Sequence, residues 1–162
     1  MKSSKLVLAI AILLVIGIAT FFLFRSSEED VIRDRLDELG EFVSTTDTAG
    51  LLGKAEVVST FQKFFANPVI LDTRYRQARG IFSPKQLAAA YIGGSQSGRR
   101  VEVSWSRTTV EILNDSEAVV STEASVDLFS GPEKVDSGTE RLEIKWIKNK
   151  ASDWVIESVR GR

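Results

Sequence analysis

Neither cysteine nor histidine occurs anywhere in the 162-residue sequence. Without these residues the chain cannot build a disulfide framework, a zinc ribbon, a haem attachment site, a thiol nucleophile or a Ser-His-Asp relay. Gly93-Gly94 does not form a phosphate-binding loop, because no Lys-Ser/Thr pair follows it. The sequence therefore predicts no metal, no cofactor and no catalytic residue of these classes.

An excess of basic charge is also missing. The 21 Lys and Arg residues are balanced by 22 Asp and Glu residues, which gives a net charge of −1. Nucleic-acid-binding domains usually carry a clear positive excess, so we expect no nucleic-acid partner. Apolar residues make up 43% and charged residues 27% of the chain, which is typical of a folded protein of one domain.

One long apolar segment stands near the N-terminus. Residues 6–24 read LVLAIAILLVIGIATFFLF and contain no charge, which is enough to cross ~30 Å of hydrocarbon as a helix. Lys2 and Lys5 precede the segment, whereas Glu28, Glu29 and Asp30 follow it. The positive-inside rule then predicts a cytoplasmic tail at 1–5, a transmembrane anchor at 6–24 and an extracytoplasmic domain at 25–162. The chain would be a single-pass inner (cytoplasmic) membrane protein with a periplasmic or extracellular domain.

Two other interpretations of the same segment remain open. Gly17-Ile18-Ala19 offers small residues for signal peptidase, so cleavage would give a secreted protein. The apolar run continues through Phe21 to Phe24 beyond that point, which favours an uncleaved signal-anchor. A buried core helix is the third interpretation, although a chargeless run of this length is unusual in a small domain.

Three helices are predicted after the anchor. Ser26 and Glu29 have the spacing of a capping box, and an apolar stripe follows at Ile32, Leu36, Leu39 and Val43. A second helix is predicted over 48–66, where Asn67-Pro68 ends it. After a short strand candidate at 69–71, a third helix begins at the Ser83-Pro84-Lys85-Gln86 cap and ends at Gly93-Gly94.

The remainder of the chain has the two-residue period of β-strands. Four strands are predicted near 100–113, 117–129, 135–148 and 153–160, pairing antiparallel in sequence order. Apolar residues occupy odd positions up to Trp105 and even positions from Val110, so a β-bulge is expected between Ser106 and Thr109. Such a bulge would bend the strand and curl the sheet into a cone with an interior.

This order of elements and the closing hairpin resemble the NTF2-like (cystatin-like cone) superfamily over residues 27–160. The hairpin reads Leu142-x-Ile144-x-Trp146, followed by Trp154-Val155-Ile156. The resemblance implies an α+β fold in which three helices pack on a curved antiparallel sheet. A membrane-anchored member is similar in layout to VirB8-like or Mce-associated envelope proteins, which act through protein–protein contacts. It implies a protein partner in an envelope assembly and is compatible with a homo-oligomer.

Two groups of residues are candidates for binding. Aromatic side chains could line a ligand pocket at the mouth of the cone, or they could fill the core; they are Tyr75, Tyr91, Trp105, Trp146 and Trp154. Arginines could form a patch for an anion or a lipid headgroup, or they could belong to solvated charged loops; they are Arg74, Arg76, Arg79, Arg99 and Arg100.

Catalysis has weaker support in the sequence. Enzymes similar to ketosteroid isomerase place an Asp and a Tyr inside the cone, and the residues of this type are Asp72, Tyr75, Tyr91 and Asp127. No motif brings them together, and Asp127 alternates with the apolar face of its strand, so we expect no convergence. The sequence favours a membrane-tethered, non-enzymatic binding or scaffold module. The alternative is a small-molecule carrier or an isomerase-like enzyme that uses the cone interior.

Overall fold

The computed structural model of the chain describes residues 27–44, 53–74, 78–95 and 99–162. The predicted tail and anchor at 1–24 lie outside these ranges, as do Tyr75 and Arg76. Among the helices that are described, none has both the length and the apolar character needed to cross a membrane. The anchor therefore stays a prediction from the sequence.

Three helices and six strands follow one another along the described chain. They are α1 (Glu28–Ser44), α2 (Lys54–Phe64), β1 (Phe65–Asp72), β2 (Arg79–Phe82), α3 (Pro84–Ser95), β3 (Arg99–Asn114), β4 (Glu117–Ser130), β5 (Glu133–Lys148) and β6 (Trp154–Gly161). The strands form one sheet in the order β2-β1-β6-β5-β4-β3. The predicted antiparallel meander from β3 to β6 is confirmed. The expectation of a wholly antiparallel sheet is wrong, because β1 pairs with β6 in parallel.

Capping boxes begin two of the helices. The Asp30 backbone N–H donates to Ser27 Oγ at 3.1 Å, and the Ser27 N–H donates to Asp30 Oδ2 at 3.3 Å. The box is therefore one residue later than the predicted Ser26 and Glu29. At α3 the predicted box is confirmed, since the Gln86 N–H donates to Ser83 Oγ at 3.2 Å and the Ser83 N–H donates to Gln86 Oε1 at 2.7 Å.

The chain enters the sheet earlier than the sequence pattern predicted. α2 ends at Phe64, and Phe65 has extended backbone angles and pairs beside Ile156 of β6. Residues 65 and 66, assigned to the second helix from their pattern, therefore open β1. The four-residue strand β2 was not predicted either, because it is short and contains Gly80 at a φ of +146°.

The predicted β-bulge is present in β3. The register against β4 shifts between Ser106 and Thr109, and Arg107 has a positive φ of 54°. The buried Thr122 hydroxyl holds the bulge, since it donates to the Ser106 carbonyl at 3.2 Å and lies 2.8 Å from Thr108 Oγ1. The sheet therefore curves around the helices, as the parity change predicted.

The core occupies one end of the curved sheet. Trp146, Val120 and Ala118 on the inner face are fully buried with Ile32 and Leu36 of α1. Towards the other end, which we call the mouth, Ala124 is still buried but Val126 is 40% exposed and Leu128 is half-buried. The apolar face predicted along β4 is thus buried from solvent over only part of its length.

Candidate ligand-binding site

A cavity of about 290 Å³ lies between the helices and the inner face of the sheet; we call it the inner chamber. Leu39 of α1, Phe61 of α2 and Leu87 of α3 line it from the helical side. Ile144 and Ile156 line it from the sheet. Its lining contains no Asp, Glu, Lys or Arg among the residues that are described. The inner chamber is therefore suited to an apolar group.

Aromatic rings form one wall of the inner chamber. Tyr91 stacks on Phe42 with ring centroids 5.6 Å apart, and Phe61 stacks on Phe65 at 5.7 Å. The Tyr91 hydroxyl donates to the Phe42 carbonyl at 3.2 Å. Burial raises the pKa of the Tyr91 phenol above its ordinary value of 10.0, so this group is neutral near pH 7.

Trp105 of β3 lines the chamber on another side. Its indole Nε1–H donates to the Leu36 carbonyl of α1 at 3.1 Å. The ring lies against Gly40, where an added Cβ would be 2.5 Å from Nε1. The close approach of α1 to the bent strand therefore depends on a glycine at position 40.

A second cavity of about 510 Å³ adjoins the first at the mouth; we call it the outer chamber. Ala124, Val126 and Leu128 of β4 supply its apolar floor. Both chambers are lined by Thr73, Leu142 and Val159, which therefore mark the junction between them. The two chambers form one site with an apolar interior and an open entrance.

Glu140 of β5 places a carboxylate at this junction. Its side chain is only 11% exposed. Glu140 Oε1 accepts the Arg74 backbone N–H at 3.2 Å and lies 3.5 Å from Arg74 Nε. A Cβ on Gly161 would overlap the carboxylate and would lie 3.4 Å from the Cα of Thr73. The end of β6 therefore needs a glycine for Glu140 to occupy this position.

The structure places the aromatic binding candidates in different surroundings. Tyr91 and Trp105 line the inner chamber, and Tyr75 lies outside the described residues. Trp146 is fully buried in the core, where its Nε1–H has no hydrogen-bond partner among the described residues. The Trp154 Nε1–H donates to Glu28 Oε2 at 2.6 Å, below the ammonium of Lys148. Trp146 and Trp154 thus belong to the core rather than to the chambers.

The arginine candidates do not gather into one anion site. Arg74 is held by Glu140 and donates to the Thr139 carbonyl at 2.8 Å. Arg79 pairs with Asp72 at 3.1 Å.

The two arginines at the start of β3 lie apart from these. Arg100 pairs with Glu102 at 3.2 Å and lies over the ring of Phe129, whereas Arg99 is exposed. Arg76 lies outside the described residues. The paired arginines fit the alternative of solvated charged segments.

The carboxylates considered for catalysis lie away from the chambers. Asp72 pairs with Arg79, and Asp127 pairs with Lys134 at 2.7 Å. Of the four residues Asp72, Tyr75, Tyr91 and Asp127, the inner chamber is lined by Tyr91, and Tyr75 is not among the described residues. The described residues therefore do not bring these groups together.

Glu140 was missed by the sequence reasoning, although a signal for it existed. Leu142, Ile144 and Trp146 are apolar residues at even positions of β5, so they share one face of the strand. Continuing the same parity backwards places Glu140 on that face. The apolar alternation of the hairpin begins at Leu142, so Glu140 is not among the residues that it singles out.

The comparisons with known proteins agree with this geometry at the level of the fold. No protein-family model and no curated protein matches the sequence. Among solved structures, a nuclear transport factor 2 (NTF2-like) superfamily protein from Salmonella enterica superposes with a TM-score of 0.60 at 11% identity, covering 81% of this chain and 87% of that one. The chain has the NTF2-like fold.

Two further NTF2-like neighbours carry ligand or enzyme names. A protein from Catenulispora acidiphila in complex with S-DNPA has a TM-score of 0.60 at 7% identity, over 81% of this chain and 90% of that one. A candidate scytalone dehydratase from Novosphingobium aromaticivorans has a TM-score of 0.59 at 9% identity, over 82% and 80%. At such identities the likeness establishes the fold alone, and function must be argued from the site.

Proposed function

We propose that this NTF2-like domain binds a small, mainly apolar molecule in its two chambers without transforming it. We further propose that residues 6–24 anchor it in the membrane, so that it meets its ligand at the extracytoplasmic surface. The observation that carries the proposal is the inner chamber of about 290 Å³, lined by aliphatic and aromatic side chains and open to a larger entrance.

The size and lining of the site support binding. Cavities that hold small molecules commonly measure roughly 300–1,000 Å³ and combine apolar walls with a few polar groups. Here the polar groups include the Thr73 hydroxyl at the junction and the Glu140 carboxylate in the outer chamber beside it. A solved structure of this fold is a complex with S-DNPA.

Binding without catalysis is supported by the titratable group that lines the inner chamber. Acid–base catalysis near neutral pH needs a group whose pKa lies near the working pH. The titratable side chain that lines the inner chamber is Tyr91, whose pKa is raised and whose hydroxyl is engaged with Phe42. A non-enzymatic role therefore agrees with the residues that are described. The protein partner in an envelope assembly stays a prediction from the sequence.

Photo-crosslinking can test the ligand site in the full chain. We would reconstitute the protein in lipid nanodiscs, irradiate it with a diazirine derivative of decanol and map the labelled peptides by mass spectrometry. Labelling is expected in the peptides around Leu142 and Val159, because both residues border the two chambers. Val159→Phe should abolish it by filling the junction.

A matched control uses the same side chain on an exposed position. Ile81 is 69% exposed and lines neither chamber, so Ile81→Phe should label like the wild type. Equal labelling of the wild type and Val159→Phe, or labelling spread over the whole surface, would contradict binding in the cone.

Membrane attachment needs its own test. The intact chain should sediment with membranes, resist carbonate extraction and expose its C-terminal domain to protease only from the non-cytoplasmic side. A soluble product that begins at Thr20 would show instead that a signal peptide is removed.

A further inference from the structure

Among the described residues, the charged side chains that line the outer chamber are carboxylates. Its lining includes the carboxylates of Asp136 and Glu140 and the hydroxyls of Thr73, Ser137 and Thr139. Within the described part of the chain, no Lys or Arg lines it. Hydroxyl groups serve donors and acceptors alike, but carboxylates accept hydrogen bonds and repel anions. The entrance therefore favours a ligand group that donates hydrogen bonds and carries positive charge.

Glu140 is the acceptor best placed for such a group. Its carboxylate is largely removed from solvent and lies at the junction, near Thr73 and Gly161. Both contacts with Arg74 use Oε1. Oε2 has no hydrogen-bond or ion-pair partner among the described residues. One oxygen of a nearly buried carboxylate is therefore left to accept a hydrogen bond from a ligand.

Arg74 does not offer a comparable site for an anion. Its guanidinium is already divided between Glu140 and the Thr139 carbonyl. An anionic ligand would have to draw Arg74 away and would leave Glu140 as an uncompensated carboxylate of low exposure, which is costly. An ammonium group needs no such rearrangement, because it adds to the existing pair through Oε2.

We propose that the ligand is an amphiphilic amine, with its apolar body in the inner chamber and its ammonium group on Glu140. This inference rests on the proposed function, since it requires that the cone bind a small molecule at all. It adds the chemical class of that molecule and identifies Glu140 as the residue that determines specificity.

Three probes that differ only in the head group test the inference. The full chain in nanodiscs would be crosslinked with diazirine derivatives of decylamine, decanol and decanoate at equal free concentration. Decylamine should half-saturate labelling at a concentration about tenfold lower than decanol, because charge-assisted hydrogen bonds are the stronger ones. Decanoate should label least. A preference for decanoate, or equal labelling by all three, would overturn the proposal.

Three variants separate recognition from folding. Glu140→Gln should remove the preference for decylamine over decanol while leaving decanol labelling in place. Glu143→Gln is the matched control, because Glu143 is on the same strand, pairs with Arg162 and lines neither chamber. Arg74→Gln removes the competing charge from Glu140 and should increase the preference for decylamine. A purely structural role of Glu140 would instead lower the labelling by all probes in both Glu140→Gln and Arg74→Gln.

The outcomes also distinguish this inference from the function on which it rests. Suppose that all three probes label equally, that Glu140→Gln changes nothing and that Val159→Phe abolishes the labelling. The cone would then bind a small molecule, but the proposal that the ligand is an amine would be overturned. Labelling that is unchanged in Val159→Phe would overturn both the proposed ligand-binding function and the amine inference.

Discussion

Both ends of β4 carry the same alternating pattern, yet the sheet is closed at one end and open at the other. At the closed end, Ala118 lies opposite Trp146 and Val120 opposite Ile144, and all four are buried. At the mouth, Val126 lies opposite Gly138 and Leu128 opposite Asp136. Apolar residues on one strand are thus matched by large apolar partners at the closed end and by small or charged partners at the mouth.

The cover supplied by α1 explains the difference. Near its start, Glu28 binds the Trp154 indole at 2.6 Å, and near its end the Ser44 hydroxyl accepts the Val103 N–H at 2.8 Å. Between them the Arg33 guanidinium donates to the Thr108 carbonyl at 3.0 Å. Ile32, Leu36 and Leu39 of the helix pack in one core cluster with Ala118, Val120 and Trp146. Val126 and Leu128 lie outside that cluster and line the outer chamber instead.

Removing one large side chain from each end should give very different losses of stability. Trp146→Ala deletes a fully buried indole, and we expect the free energy of unfolding to fall by about 3–5 kcal/mol. Leu128→Ala removes a half-buried side chain from a wall that already faces a cavity, and it should cost about 1 kcal/mol or less. Urea unfolding followed by circular dichroism measures both. Equal losses would mean that the mouth is packed like the core.

The contact of α1 with the bent strand gives a smaller and sharper test. A Cβ at position 40 would press on Trp105 and disturb its hydrogen bond to Leu36, so Gly40→Ala should cost about 1–3 kcal/mol. Gly93→Ala is the matched control in α3, because nothing lies within 4 Å of its added Cβ. That variant should gain roughly 0.5–1 kcal/mol from helix propensity. Stabilisation by both substitutions would show that α1 does not depend on the close approach.

Much of this fold could be predicted from the sequence because its signals are local. Each signal is carried by residues that are close together in the sequence. Examples are the periods of α1 and of β3 to β6, the Ser83 cap and the parity change around Arg107. The parallel pairing of β1 with β6 could not be found in this way, since it joins residues such as Leu71 and Val159 that are far apart in the chain. β2 is too short to show a period.

The candidate site was less predictable for the same reason. A pattern of alternation tells which face a side chain occupies, but not whether a helix covers that face. Trp146 and Glu140 share one face of β5, yet one is core and the other borders a cavity. Gly161 makes room for Glu140 from another strand, and Arg74 holds it from a loop. These contacts exist only once the sheet has assembled.

The smallest expected effect concerns Tyr91, at the boundary between the helical core and the inner chamber. The phenol pKa is raised by burial, so the folded chain holds this proton more firmly than the unfolded chain does. The stabilisation is complete below the ordinary pKa of 10.0 and is lost as the pH rises above it. Tyr91→Phe should cost about 1 kcal/mol at pH 7 through the lost bond to the Phe42 carbonyl. It should also make the decline of stability above pH ~10 less steep, which urea unfolding at several pH values can measure. The same alkaline decline in the wild type and in Tyr91→Phe would show that the Tyr91 phenol is not desolvated by the chamber wall.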